Sequence, residues 1–182
     1  MKMKKRINIR DMIYSALFVT LTAILGYISI PLPFSPIPIT AQSLAVILAG
    51  CILTPLQSAI SMTTFLLLGA IGVPVFSGGR AGIGIIVGKS GGFLVGFLVG
   101  AIIISCLVRI NRSLINMIIS CIIGGVVVVH FLGSTWLGYV TGIGMKKAFL
   151  VGSAPFIIGD LLKVAVAILI ANRLKKGIIY EQ

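Results

Sequence analysis

Asp160 and Lys163 stand inside the apolar run PFIIGDLLKVAVAI (155–168). Pro155 is a favoured first helical residue, and a spacing of i,i+3 puts both charges on one face of the helix that follows. At ~1.5 Å per residue they lie roughly 7 and 12 Å along the axis from Pro155. An ionisable side chain at mid-membrane costs about 2.5–3.5 kcal/mol, so it faces the protein interior and is functional by default. The pair offers a carboxylate that accepts hydrogen bonds and an ammonium that attracts an anion. Two readings follow: a structural ion pair that satisfies itself, or the polar floor of a ligand pocket.

Other residues hint at different chemistry. Gly88-Lys89-Ser90 has the ending of a phosphate-binding P-loop. The full pattern, G-x-x-x-x-G-K-[S/T], needs a glycine where this chain has Ile83, between Gly82 and Gly84. No apolar strand ends in an Asp to act as a Walker B partner, so no ATP hydrolysis is expected. His130 is the sole histidine, which excludes a two-histidine metal site; it either lines a pocket or is a satisfied buried imidazole. No HExxH is present, no motif supports a Ser–His dyad on His130, and no enzymatic activity, metal or cofactor is expected. A channel would want similar polar rings on several spans, and only one span carries charge. A stand-alone secondary transporter, with Asp160 as a proton-linked carboxylate, is the alternative class.

The elements that position these residues follow from composition. The 182 residues are 58% hydrophobic and 10% charged, with a mean hydropathy of +1.19. Soluble domains are about 45–50% apolar and about 25% charged, so this is an integral membrane protein. Apolar runs at 12–30, 41–53, 56–72, 91–108, 114–133 and 154–172 predict six transmembrane helices in one all-α, multi-pass domain over 1–182. The second run is short, and Thr54-Pro55 separates it from the third, as in a short or tilted helix or a tight hairpin. The N-terminal MKMKKRINIRDM resembles a signal-peptide n-region, but no A-x-A-like site follows, and the expectation is a retained first helix.

Net charge is +12. With the N-terminus inside, the inner segments carry ten cations (Lys2, Lys4, Lys5, Arg6, Arg10, Arg109, Arg112, Arg173, Lys175, Lys176). The outer ones carry four, Arg80, Lys89, Lys146 and Lys147. Both termini are therefore expected in the cytoplasm, and this distribution explains the basic character better than nucleic-acid binding does. Cys51, Cys106 and Cys121, distant in sequence and inside apolar runs, read as small hydrophobes.

Three outer segments then remain: 31–40, 73–90 and 133–153. Their convergence above Asp160 and Lys163 favours the ligand pocket. Four prolines within 31–38 predict a stiff extended connector. Of 22 glycines, 11 lie from Gly69 to Gly100. Gly88, Gly92, Gly96 and Gly100 recur every four residues and form a smooth stripe that lets helices approach closely, within the chain or against another membrane protein. Trp136 and Tyr139 suit an interfacial aromatic belt, or else a pocket wall.

Three stretches, IPLPFSPIPITAQSLAVILAG, LLLGAIGVPVFSGG with the following GGFLVGF, and APFIIGDLLKVAVAILIA, resemble the BioY biotin transporters. These are the substrate-binding S components of energy-coupling factor (ECF) vitamin uptake systems. The resemblance, over residues 12–173, implies the six-helix S-component fold and high-affinity biotin binding near the outer face beneath the first loop. It implies as partners a transmembrane coupling subunit and two ABC ATPase subunits, the S component toppling in the membrane to deliver the vitamin. The family's last-helix Asp and Lys carry over to Asp160 and Lys163; pocket contributions carry over to Gln42, Ser77, Gly78 and Gly79. Two departures stand out. Gly88-Lys89-Ser90-Gly91-Gly92 replaces the usual G-P-T-G-G, and the small-residue docking pairs of the first helix become Ala16/Thr20 and Ser15/Val19.

Overall fold

The computed structural model describes residues 8–111 and 113–178, with side chains to residue 174. Lys2, Lys4, Lys5, Arg6 and Arg112, and the side chains of Lys175 and Lys176, which carry much of the expected inner charge, lie outside the described residues.

Helix α1 (Ile9–Tyr27) starts at a capping box, Asn8 with Asp11. It leads into a short antiparallel ladder, β1 (Ser29–Ile30) with β2 (Ile39–Thr40), registered Ser29 to Thr40 and Ile30 to Ile39. The proline-rich segment is thus a hairpin rather than a plain connector, because the residues flanking the prolines are free to pair. Helices α2 (Gln42–Ile52) and α3 (Pro55–Ala70) meet at Thr54, which forms a second capping box with Gln57 and leaves Pro55 at the first turn. Both devices satisfy N–H groups that the missing preceding turn leaves orphaned. Gln57 also donates to Asp11 at 2.7 Å, and Ser15 to the Gln57 carbonyl at 3.1 Å, tying α1 to the α2–α3 corner.

The second outer segment is not a simple loop. A tight turn at 77–79 is closed by a bridge between Phe76 and Arg80, and a short helix α4 (Ile83–Val87) follows. Gly88 to Ser90 is then a turn between α4 and α5 (Gly91–Ile110), with no strand before it. A P-loop's strand–loop–helix context is absent there.

The fifth run holds the largest difference. Helix α6 (Leu114–Cys121), a π-helical stretch (Ile122–Val128) and α7 (Val129–Thr141) form one continuous rod that outruns the expected end at residue 133. It stops only at Gly142, whose φ of +69° suits glycine. The expected outer loop 133–153 is mostly helix, since α8 (Met145–Gly152) follows before α9 (Ala154–Ile178). Gly133 and Gly138, which look like breakers, are packing sites: a side chain at Gly133 would collide with the Phe93 ring, and at Gly138 would press on Ala148.

Helix α5 is the centre of the bundle, against α2, α3, α7 and the π stretch. The glycine stripe is its seam with the fifth rod. A Cβ on Gly92 would strike Trp136 and the Leu132 carbonyl, on Gly96 the Val129 backbone, and on Gly100 the Gly124 carbonyl. Four described stretches are long and apolar enough to cross a bilayer, Ile9–Tyr27, Gly91–Ile110, Leu114–Thr141 and Ala154–Leu174. Helices α2 and α3 are apolar but shorter, 11 and 16 residues.

Replacing Gly100 by Ala therefore forces the seam apart, at a cost of about 1–3 kcal/mol typical of overpacking. Gly84, whose Cβ would meet nothing within 4 Å, is the control. Thermal unfolding in detergent should show Gly100→Ala clearly destabilised and Gly84→Ala unchanged or slightly stabilised. Equal unfolding temperatures would contradict the described seam.

Candidate ligand-binding site

The N-terminal parts of α2 and α9, the base of the hairpin and the start of α7 bring five groups together. Asp160 Oδ1 accepts from Lys163 Nζ at 2.8 Å and from Ser43 Oγ at 2.9 Å. Its Oδ2 lies 2.9 Å from His130 Nε2. Lys163 also donates to Ser43 Oγ at 2.9 Å and to the Thr40 carbonyl at 2.7 Å, so its ammonium has a partner for each of its three protons. Ser43 accepts from the lysine and donates to the aspartate. The carboxylate is nearly dehydrated, with Asp160 only 5% exposed. Removing two charges from water is tolerable here because each carboxylate oxygen and each ammonium proton has a partner.

His130 is positioned by the π stretch, which ends two residues before it. Such bulges shift the register of an otherwise regular helix and recur at functional sites. Ser134 Oγ donates to the His130 carbonyl at 2.5 Å. Nε2 donates to Asp160, and Nδ1 is buried without a partner. The satisfied-imidazole reading therefore holds for only one of its two nitrogens.

These groups line a cavity of about 60 Å³, walled by Ile37, Pro38, Phe93, Phe97, Val129 and Phe156. A water molecule's share of the liquid is about 30 Å³, and ligand pockets run to about 300–1,000 Å³. A drug-sized ligand needs more room than this. One wall is the hairpin, which supplies Ile37 and Pro38 and is held at its base by the Lys163–Thr40 bond. Outside it lies an open vestibule of about 400 Å³ between the first two outer segments, lined by Tyr27, Ser29, Pro36, Ser77, Gly78 and Arg80 among others. Pro38 lines both spaces.

The residues expected at the site thus divide. Asp160 and Lys163 form its polar floor. Ser77 and Gly78 line the vestibule, where Ser77 Oγ meets Ser29 Oγ at 3.1 Å. Gly79, at a φ of +72°, packs by Tyr27. Gln42 does not reach the cavity: it is 2% exposed and donates to the Val75 carbonyl at 3.0 Å, holding the second outer segment from behind. Tyr139 is exposed, and Trp136 donates to the Gly88 carbonyl, so neither ring walls the cavity. Lys89 is exposed. Cys51 and Cys121, 70 residues apart, bring their sulfurs to 3.2 Å in the core, while Cys106 is exposed. The sequence did not point to Ser43 or the Thr40 carbonyl; a serine beside a glutamine and a main-chain oxygen have no pattern of their own.

Comparison with known proteins finds relatives over nearly the whole chain. A biotin transporter BioY of Rhizobium etli is 41% identical over 177 residues, 92% of this chain and 94% of that one. A probable biotin transporter BioY of Pyrococcus horikoshii is 37% identical over 160 residues, 88% and 93% of the two chains. The crystal structure of the S-component for biotin from an ECF-type ABC transporter superposes with a TM-score of 0.87 at 30% identity, over 96% of this chain and 95% of that one, so the fold is shared. The BioY family model matches residues 2–179, and the chain belongs to the BioY family.

Proposed function

We propose that this protein binds biotin at its outer face and serves in biotin uptake as the S component of an ECF-type transporter. The observation that carries the reading is the Asp160–Lys163 pair, its carboxylate buried and its ammonium partly buried, beneath the proline-rich hairpin. Biotin has a ureido ring with N–H donors, an apolar sulfur ring, an alkyl chain and a carboxylate. An acceptor, a cation and a cavity walled by Phe93, Phe97 and Phe156 complement that list. Ser77, Gly78 and Gly79 form the mouth through which the ligand passes, and Gln42 anchors that mouth.

In this reading the chain is one domain of six spans in the cell membrane, with α2 and α3 short and paired and both termini in the cytoplasm. A transmembrane coupling subunit and two ABC ATPases supply the energy, since the chain's own Gly-Lys-Ser is an interhelical turn. Ala16 and Thr20 are exposed on α1, whereas Ser15 and Val19 are buried. The first pair is the surface left for the coupling subunit.

Entry of the ligand exchanges partners at Lys163. The carboxylate takes the place of the Thr40 carbonyl or Ser43, and Asp160 receives a ureido N–H. A charge-assisted hydrogen bond contributes about 1.5–3 kcal/mol, or roughly 10- to 150-fold in affinity. Wild-type protein should bind biotin more tightly than its methyl ester by about that factor. Lys163→Ala should weaken biotin and largely erase the difference, and Asp160→Asn should weaken acid and ester alike. Equal binding of acid and ester by the wild type would return Lys163 to a purely structural pair.

Topology has its own test. Cysteines at Ser35 and Lys146, in a background lacking the native thiols, should react with an impermeant reagent on intact cells. Labelling only after permeabilisation would invert the chain and place the site on the wrong side for uptake.

A further inference from the structure

His130 has a role that partner exchange at Lys163 leaves unused. Its surroundings are sparse in charge. Helix α9 presents Asp160, with Lys163 on that carboxylate's other oxygen. Helix α2 contributes Ser43, and α5 the edge-on ring of Phe93 at 6.1 Å. From α8, Lys146 shares with His130 the lining of a second, apolar groove. Of the chain's other acids, Asp11 caps α1 and Glu181 lies outside the described residues.

With a neutral imidazole, the buried cluster of Asp160, Lys163 and His130 has no net charge. A carboxylate ligand adds a negative charge to it, and an uncompensated charge in an apolar cavity is strongly disfavoured. Lys163 cannot fully serve two carboxylates at once. Histidine is the side chain whose charge changes most readily near neutral pH. Its Nε2–H already faces Asp160 Oδ2, so a protonated imidazole becomes that carboxylate's counter-ion without moving. The vacant atom, Nδ1, is where the proton adds.

We propose that binding of the carboxylate ligand is coupled to uptake of one proton by His130. The empty site pairs Lys163 with Asp160; the loaded site pairs His130 with Asp160 and Lys163 with the ligand. One proton passes from solvent to Nδ1, and no bond to the ligand is made or broken. This rests on the biotin reading above, with His130 as a positioning residue for the charge balance. Because the complex holds one proton more than its separated components, binding must weaken as pH rises.

Titration calorimetry on the purified full-length chain, in phosphate and in Tris at pH 8, reads the proton directly. Biotin should show a heat that differs between the buffers by close to one buffer ionisation, while the uncharged methyl ester shows no difference. Biotin affinity should fall as pH rises, by at most about tenfold per pH unit, with the ester flat. His130→Gln should still bind biotin, with buffer-independent heat and a flat profile. Biotin bound by the wild type with equal heats in the two buffers overturns the proposal, whether or not the variant folds. Equal proton uptake with the ester overturns the carboxylate as its cause. No biotin binding in any buffer would instead sink the functional reading itself.

Discussion

One ammonium group ties together parts of the molecule that are far apart in sequence. Lys163 is three residues from Asp160 but 120 from Ser43 and 123 from Thr40. Its bonds fasten the last helix to the second and both to the outer hairpin. In a medium that cannot hydrate a cation, the lysine must find acceptors within the protein, and those within reach are an acid, a hydroxyl and a main-chain carbonyl. The hairpin is therefore held by the charge it covers. In the proposed site, a ligand that offered Lys163 a better acceptor would weaken the bond that holds the hairpin.

Close helix approach fixes the other half of the site. Gly92, Gly96 and Gly100 let the fifth rod lie directly on α5, Gly124 continues the contact from the rod's side, and Gly125 lets Ile47 of α2 approach. Apolar association gains little in lipid, so packing of this kind provides much of the specificity between spans. The π stretch begins where the seam is tightest, beside Gly124, and ends just before His130. The imidazole reaches Asp160 because the rod is both close and locally rewound. Bulk on the stripe would displace His130 as well as loosen the bundle.

The most legible features were those with a large energetic contrast. Asp160 and Lys163 break an apolar run, and the cost of burying them marks them without any structure. The apolar runs locate the helices, and the missing glycine at Ile83 disqualifies the P-loop. Features decided by tertiary contact were hidden. GSTWLGYVT (133–141) reads as a loop from its glycines and hydroxyls, yet it is helical because those glycines meet Phe93 and Ala148, and Thr135 and Thr141 return their hydroxyls to the carbonyls four residues back. Gln42 looked like a pocket residue, but its amide is spent on the Val75 carbonyl. Sequence distance likewise concealed that Cys51 and Cys121 are neighbours, and that Ser43 sits between the two charges.

The small cavity and the unpartnered imidazole nitrogen bear on the same constraint. A site that must exclude water to strengthen its polar contacts cannot leave a net charge uncompensated once the ligand is inside. A second lysine would balance a bound carboxylate, but it would burden the empty cavity with an unpaired cation. On the proposed coupling, histidine avoids both states, being neutral when the cavity is empty and cationic when it is filled. The cluster of one acid, one fixed cation and one switchable base is thus the smallest set that stays near neutrality in both conditions. The hairpin can then close over either state without trapping an isolated charge beneath Pro38.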